Sequence, residues 1–252
     1  MSRYKAQRAL RPRLEVAVPD TAMVLAAGLG KRMRPLTATR PKPLVEVAGR
    51  TLIDHTLDRF AEAGVGKVVV NVHYFADALE AHLAARDDLA ISISDERSCL
   101  LETGGGVVKA LPLIEAETFY VANSDNIWID GPVDSLHLLA QRWDEAEMDA
   151  LLLLVPFARA YCHDGPGDFH MDAIGRLSRR RPGRVAPFSF TGVQLVSRRL
   201  FENAPEGPFS TNILWNRAIE AGRCFGVVHQ GQSYFIGTPE AVKHAEALLQ
   251  NV

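Results

Sequence analysis

The sequence predicts an α/β protein with a Rossmann-like, mainly parallel sheet, helices on both faces and a smaller, integrated C-terminal lobe. Short apolar runs rich in β-branched residues alternate with amphipathic stretches of helical period, as in chains of βαβ units. Glycine-rich sequence follows the first apolar run, which is typical of a strand that enters a functional loop. The alternation ends after Pro156, where shorter strand-like pieces begin. This change predicts a division into a core at residues 21–156 and a lobe at residues 157–252.

The composition restricts the class of protein. The chain has 252 residues, with 28 Lys+Arg against 30 Asp+Glu and 47% hydrophobic residues. This balance argues against disorder and against a dedicated nucleic-acid binder. The longest apolar run, residues 150–155, is far shorter than the roughly 20 residues that cross a bilayer, so we expect no membrane span. The three cysteines are far apart and form neither a disulfide framework nor a zinc motif, which favours the cytoplasm.

The first twenty residues carry several basic side chains but no apolar stretch, so they do not form a secretory signal. We expect a disordered basic extension at residues 1–20, since termini are commonly loose. A short organelle-style leader or a basic arm are the alternatives.

The elements of the core follow from local patterns. Thr51 with Asp54 predicts a capping box at the start of a helix, and Gly64 predicts its end. Helices are also expected at residues 75–86, 107–111 and 138–143. Buried strands are expected at residues 21–26, 67–72, 90–94, 119–122 and 149–155.

The C-terminal lobe is predicted to contain strand-like pieces at residues 185–196 and helices at residues 211–221 and 239–249. Thr238 serves as the cap of the last helix, and Pro239 stands in its first turn. Because right-handed crossovers place functional loops at the carboxyl ends of parallel strands, we expect the ligand site there.

The stretch from Leu25 to Thr37 carries the strongest chemical signal. Its glycines bring backbone N–H groups close to a ligand, which favours phosphate oxygens. It fits neither common phosphate motif: a Walker loop fails because Arg32 replaces the hydroxyl residue, and a dinucleotide fingerprint fails because Met33 replaces the third glycine. A plain glycine turn would not account for the adjacent Lys31, Arg32 and Arg34.

This stretch resembles the signature of the sugar-1-phosphate nucleotidyltransferase family, G-x-G-x-R-x-x-P-L-T, and it is followed by the family's P-K-P-L element at residues 41–44. Further similar motifs follow at residues 101–106, 124–125, 190–192 and 237–239. The resemblance implies attack of a sugar-phosphate oxygen on the α-phosphorus of a nucleoside triphosphate, with release of pyrophosphate. The partners implied are a nucleoside triphosphate and a sugar 1-phosphate, handled by a monomer or a small homo-oligomer.

The resemblance also implies roles for individual residues. Arg32 and Lys42 are the expected catalytic cations, because phosphoryl chemistry needs positioning and neutralisation of charge. Mg²⁺ is the expected cofactor and Asp125 its ligand, since magnesium prefers hard oxygen donors. The expected nucleotide-binding residues are Leu25, Ala26, Ala27, Gly28, Gly30, Lys31, Gly104 and Gly105. The expected sugar-binding residues of the C-terminal lobe and the cleft are Glu102, Asn123, Thr191 and Gly192.

One position departs from the family pattern. Relatives usually have an acidic second magnesium ligand two residues before the last Gly-Thr, and this chain has Phe235 there. Phenylalanine offers no oxygen to a hard cation. A catalytically weak sugar-nucleotide sensor is therefore an alternative to an active enzyme.

Within the family, the motifs at residues 101–106 and 237–241 most resemble N-acetylmuramate-1-phosphate uridylyltransferases of peptidoglycan recycling. A mannose-1-phosphate guanylyltransferase is the nearest enzymatic alternative. An arginine cluster remains outside these motifs and is either a solvated hairpin or an anion site: Arg176, Arg179, Arg180, Arg181 and Arg184.

Overall fold

A computed structural model describes residues 14–249 of the chain. Most of the predicted basic extension, residues 1–13, lies outside the described residues. Cys99, Cys162 and Cys224 are free thiols. No helix within residues 14–249 combines the length and the apolar character that a membrane crossing needs.

Six α-helices and fourteen strands are described in this range. The helices are α1 (Leu52–Ala63), α2 (Ala76–Leu83), α3 (Glu102–Ala110), α4 (Ser135–Arg142), α5 (Asn212–Glu220) and α6 (Pro239–Leu249). The first seven strands are β1 (Thr21–Leu25), β2 (Glu46–Val47), β3 (Arg50–Thr51), β4 (Lys67–Val72), β5 (Ala90–Asp95), β6 (Thr118–Asn123) and β7 (Asn126–Ile129). The others are β8 (Ala150–Pro156), β9 (Ala160–Tyr161), β10 (Phe169–Met171), β11 (Leu177–Arg179), β12 (Phe188–Ser197), β13 (Cys224–Val228) and β14 (Gln232–Phe235).

The central sheet follows the order β11-β10-β12-β6-β1-β4-β5, and β8 and β13 extend it beside β12. Strands β6, β1, β4 and β5 are mutually parallel, as are β8 and β13, whereas β12 runs antiparallel to its neighbours. Helices α1, α2 and α4 bury apolar side chains on one face, and α3 and α5 do so on the other. The predicted fold class is confirmed.

A smaller sheet of β7, β14 and β9 packs with α6 over a third apolar core, which includes Met33, Ile127 and Tyr234. The predicted boundary at residue 156 does not separate two sheets, because β10 to β13 all join the central sheet. The C-terminal part of the chain is therefore built into the core and completes it.

Several local predictions are confirmed in detail. The Thr51 hydroxyl accepts from the amide of Asp54 and donates to its carboxylate, so α1 begins with the expected cap. Gly64 ends α1 with φ 96°, a left-handed conformation that glycine adopts without strain. The last helix has the predicted bounds, and the Thr238 hydroxyl accepts from the amide of Ala241 at its start.

Two helix predictions need correction. The helix expected at residues 107–111 begins five residues earlier, at Glu102, so Gly104, Gly105 and Gly106 lie within it and not before it. The helix expected at residues 75–86 spans only Ala76–Leu83. In the first case tertiary contacts override the low helix propensity of three successive glycines.

Candidate active site

The loop after β1 forms one wall of a cleft at the carboxyl ends of β1, β4 and β6. The amide of Ala26 donates to Oδ1 of Asn71 (2.6 Å), and the Asn71 side chain donates in turn to Glu96 (2.8 Å). Both of these polar side chains are buried, so their hydrogen bonds hold the start of the loop in place. Gly28 has open space where a Cβ would stand, and it lines a cavity of about 390 Å³ with Leu25, Ala26, Ala27 and Lys31.

Gly30 lies at the contact between the glycine loop after β1 and the P-K-P-L segment. Its φ of 60° lies in the left-handed region, and a Cβ there would stand 3.0 Å from both Lys42 Cβ and Thr37 Cγ2. The buried Thr37 hydroxyl donates to the carbonyl of Gly30 (2.8 Å). This close contact brings the P-K-P-L segment against the glycine loop and so places Lys42 at the cleft.

Lys42 and Asp125 form an ion pair at the centre of the cleft. Nζ of Lys42 lies 2.6 Å from Oδ2 of Asp125, and the two side chains are 12% and 37% exposed. Asp125 occupies the turn between β6 and β7, where Ser124 donates to the carbonyl of Leu25 (2.9 Å) and fixes the turn against β1. The structure thus brings together the predicted catalytic lysine and the predicted metal ligand.

Arg32 lies on the other side of Asp125. It lines a second cavity, of about 670 Å³, that shares Asn123 and Asp125 with the first. Its side chain is exposed and approaches Gly237, and within residues 14–249 it has no ion pair with a carboxylate. Phe235 also lines this cavity, because β14 pairs Phe235 with Asn126, next to Asp125. The departure from the family pattern therefore lies beside the predicted metal ligand.

The glycines of α3 are placed differently from the prediction. The amides of Gly104 and Gly105 both donate to the carbonyl of Phe209, so the backbone donors expected to face a nucleobase are already used. A Cβ on Gly104 would stand 2.3 Å from the Phe209 ring, and one on Gly105 would stand 2.4 Å from the carbonyl oxygen of Gly207. These glycines permit close packing, and the exposed Glu102 presents the start of α3 to the first cavity.

The predicted sugar-binding residues also separate into two groups. Asn123 ends β6 and lines both cavities. Thr191 is instead fully buried, and its hydroxyl donates to the carbonyl of Leu153. Gly192 lies at a bulge of β12 with φ 87°, where a Cβ would stand 2.5 Å from the Asn126 amide nitrogen. Thr191 and Gly192 therefore shape the wall and do not line the cleft.

The donor set for a cation is small. Within residues 14–249 no group of three or more His, Cys, Asp or Glu side chains could hold a metal ion. Asp125 offers a carboxylate at the centre of the cleft, and Glu102 lines the same cavity. Magnesium is commonly held by one or two carboxylates together with substrate phosphates. A carboxylate such as Asp125 beside the glycine loop fits this pattern.

Residues that the sequence reasoning missed also line the first cavity, among them Asn71 and Thr103. Asn71 could have been noticed, because it is a polar residue inside the apolar strand KVVVNV. Thr103 belongs to the motif at residues 101–106, but the position of its hydroxyl depends on a long-range hydrogen bond from the amide of Thr211.

Comparison with known proteins decides the family. The profile of the family described as "Nucleotidyl transferase" matches residues 21–160. The chain belongs to this family. N-acetylmuramate alpha-1-phosphate uridylyltransferase of Caulobacter vibrioides is 45% identical over 92% of this chain and 97% of its own length. The protein of the same name from Neisseria meningitidis serogroup B is 33% identical over 90% and 97%. The resemblance that the sequence motifs indicate is confirmed.

Matches to guanylyltransferases are partial. The mannose-1-phosphate guanylyltransferase catalytic subunit beta of Danio rerio is 38% identical, but over only 46% of this chain and 33% of its own length. Among solved structures, UDP-glucose pyrophosphorylase complexed with UDP-glucose has a TM-score of 0.77 and covers 93% of this chain and 100% of its own. At 16% identity this likeness concerns the fold alone.

Proposed function

We propose that this nucleotidyltransferase transfers a uridylyl group from UTP to N-acetylmuramate 1-phosphate and releases pyrophosphate. The observation that carries the proposal is the 45% identity to a uridylyltransferase of that substrate, which extends over nearly the full length of both chains. The cleft supports it, because Lys42, Asp125 and the glycine loop meet there.

In this reaction an oxygen of the sugar phosphate forms a bond to the α-phosphorus, and the bond to the β-phosphate oxygen breaks. Pyrophosphate leaves with the electron pair, so no covalent enzyme intermediate is needed. The chain's task is to hold the two phosphates in line and to neutralise their charge. Lys42 supplies a positive charge at the first cavity, and Arg32 supplies a planar, forked donor for the β- and γ-phosphates at the second.

Asp125 would hold Mg²⁺, with triphosphate oxygens and water as the other ligands. Bound there, the ion would neutralise charge on the triphosphate. Lys42 already neutralises this carboxylate through the ion pair. With the Asp125 carboxylate engaged by the ion, Nζ of Lys42 would be free to contact phosphate oxygens.

A second candidate function is a catalytically weak sensor of sugar nucleotides. Phe235 favours it, because the residue beside Asp125 has no oxygen for a second metal contact. Sensor and enzyme differ in turnover: a sensor binds the sugar nucleotide but does not release pyrophosphate at any Mg²⁺ concentration.

The decisive experiment is a pyrophosphate-release assay of the purified protein with four ribonucleoside triphosphates and a panel of sugar 1-phosphates. We expect UTP with N-acetylmuramate 1-phosphate to give the highest kcat/KM. A preference for GTP with mannose 1-phosphate would instead assign the guanylyltransferase function.

A magnesium titration tests the metal ligand. We expect loss of activity in Asp125→Asn, because a neutral amide replaces the carboxylate without changing its shape. Full activity of this variant would remove Asp125 as the ligand. Wild type without turnover across the titration would support the sensor.

The proposed reaction belongs in the cytoplasm, where nucleoside triphosphates are present and the three free cysteines stay reduced. A nucleotide-activated amino sugar of this kind would serve peptidoglycan recycling, in keeping with the names of the two relatives.

A further inference from the structure

A third cavity, of about 260 Å³, adjoins the cleft. It shares Leu25, Thr103 and Asn123 with the first cavity, and its far side is lined by Arg179 and Trp215. A sugar lying against Asn123 would thus have its phosphate near Lys42 and Asp125 and a substituent towards the third cavity.

The arginines of the cluster at the β10–β11 hairpin lie in different environments. Arg180 donates to the backbone carbonyls of Gly167 (2.9 Å) and Arg184 (3.0 Å), and Arg176 is exposed. Arg179, the last residue of β11, is half-buried and is the member that lines the third cavity. The sequence left two interpretations of the cluster, a solvated hairpin and an anion site. The arginines form a hairpin, and Arg179 is the one that lines a cavity.

The guanidinium of Arg179 is held in a fixed orientation. Its carbon lies 4.7 Å from the centroid of the Phe169 ring and 5.5 Å from that of Trp215. Nε donates to Oδ1 of Asn216 (2.8 Å), and Nη2 donates to Oδ1 of Asn212 (2.8 Å). Two amides and two rings therefore fix the position of the charge without neutralising it.

The contacts of Arg179 within residues 14–249 leave part of its guanidinium available. No carboxylate in the part of the chain that the structure describes forms an ion pair with it, and Nη1 has no hydrogen-bond partner there. Asp168, the acidic residue of the same cavity, uses Oδ2 to accept from the amide of Phe190. Arg86 provides a contrast, since it pairs with Asp54, Asp58 and Asp88.

The pKa values of the two arginines are shifted in opposite directions. Burial lowers the pKa of Arg179 below its ordinary value, and the charges of Cys224 and Asp168 oppose this shift without outweighing it. Burial also acts to lower the pKa of Arg86, but the hydrogen bonds that Arg86 donates to its three carboxylates outweigh that effect and raise the pKa. A half-buried cation without an anion is costly unless a ligand supplies one.

We propose that Arg179 binds a carboxylate on the sugar of the sugar 1-phosphate and so selects for acidic sugars. The inference rests on the proposed function. N-acetylmuramate is N-acetylglucosamine with a lactyl ether that carries a carboxylate. N-acetylmuramate 1-phosphate therefore differs from N-acetylglucosamine 1-phosphate by this anionic substituent. The forked guanidinium suits a carboxylate, and the Trp215 ring offers an apolar surface for the rest of the substituent.

The test compares N-acetylmuramate 1-phosphate with N-acetylglucosamine 1-phosphate as substrates of wild type and Arg179→Gln. Removing charged hydrogen bonds to the carboxylate should lower kcat/KM for N-acetylmuramate 1-phosphate about thirtyfold, mainly through KM. The value for N-acetylglucosamine 1-phosphate should stay within about threefold, because that substrate has no carboxylate to lose. Arg179→Lys, which keeps the charge but not the fork, should fall in between.

Arg176→Gln is the matched control, because Arg176 also lies over an aromatic ring, Phe225, but does so on the exposed part of the hairpin. It should leave the ratio of the two kcat/KM values unchanged. An unchanged ratio in Arg179→Gln, or an equal loss with both sugars, would overturn the inference while the proposed function stands. Wild type that turns over neither substrate would overturn the proposed function, and the inference with it.

Discussion

The molecule contains two glycine-rich stretches at the cleft, and they serve opposite purposes. Gly28 and Gly30 follow β1, and at Gly28 the space for a side chain is open to the cavity. Gly104, Gly105 and Gly106 lie inside α3, where every added Cβ would stand closer than 3 Å to another atom. The first stretch is open to the cavity at Gly28, whereas the second is covered by protein at all three glycines.

The difference arises from what covers the backbone donors. The first amides of a helix have no partner within the helix and commonly bind anions. In α3 the carbonyl of Phe209 accepts from two of them, because the segment at residues 207–211 packs against the helix start. A glycine motif at a helix start is therefore evidence for an anion site only when no other segment occupies its donors.

The largest expected effects belong to the cations beside the open stretch. We expect Arg32→Ala and Lys42→Ala each to lower kcat/KM about a hundredfold, which corresponds to roughly 2.7 kcal/mol of transition-state stabilisation. Thermal unfolding should change little, because Arg32 has no ion pair within the described chain and Lys42 pairs with the half-exposed Asp125. Steady-state kinetics measure the change in kcat/KM, and unfolding curves measure the change in stability. Unchanged kinetics would show that Arg32 and Lys42 take no part in the reaction.

The closed stretch should respond in stability. Gly105→Ala adds a Cβ 2.4 Å from the carbonyl oxygen of Gly207, which is backbone and cannot rotate away. The overpacking outweighs the gain in helix propensity, and we expect the free energy of unfolding to fall by about 2 kcal/mol. Urea denaturation measures this; a stabilised variant would show that the packing around α3 is looser.

Gly28→Ala is the matched variant in the open stretch. Nothing lies within 4 Å of its added Cβ, so the free energy of unfolding should change by less than about 0.5 kcal/mol. The methyl group would instead occupy the cavity that we assign to the nucleotide, and KM for UTP should rise about tenfold. If Gly28→Ala lost stability and kept its KM, the contrast between the two stretches would fail.

The smallest expected effect concerns Phe235, which lines the second cavity. Phe235→Asp would place a second carboxylate beside Asp125, and the Mg²⁺ concentration for half-maximal rate should fall about threefold. Phe157→Asp is a control, since Phe157 is exposed and stands outside β14 and the metal position. A higher Mg²⁺ requirement in Phe235→Asp would indicate that the family's second ligand position is not used here.

The sequence predicts the loop after β1 better than it predicts α3. Leu25, Ala26, Gly28 and Lys31 line the first cavity, and the pattern that indicates them, a strand followed by small residues and glycines, can be read along the chain. Gly104 and Gly105 give the same local signal. Whether their amides are available to a ligand depends on Phe209, about a hundred residues away along the chain. The same holds for Thr191, whose hydroxyl donates to the carbonyl of Leu153 in the neighbouring strand. No local sequence pattern reveals this contact.

The sequence by itself determined the fold class, the capped helix at Thr51 and the phosphate-handling motifs, because each depends on neighbours along the chain. The tertiary structure decided which polar groups remain available to a ligand. It paired Lys42 with Asp125, covered the amides of α3 with Phe209 and left Arg179 without an ion pair among residues 14–249. Availability depends on which distant groups pack against a side chain, and only the folded arrangement of strands and loops sets those contacts.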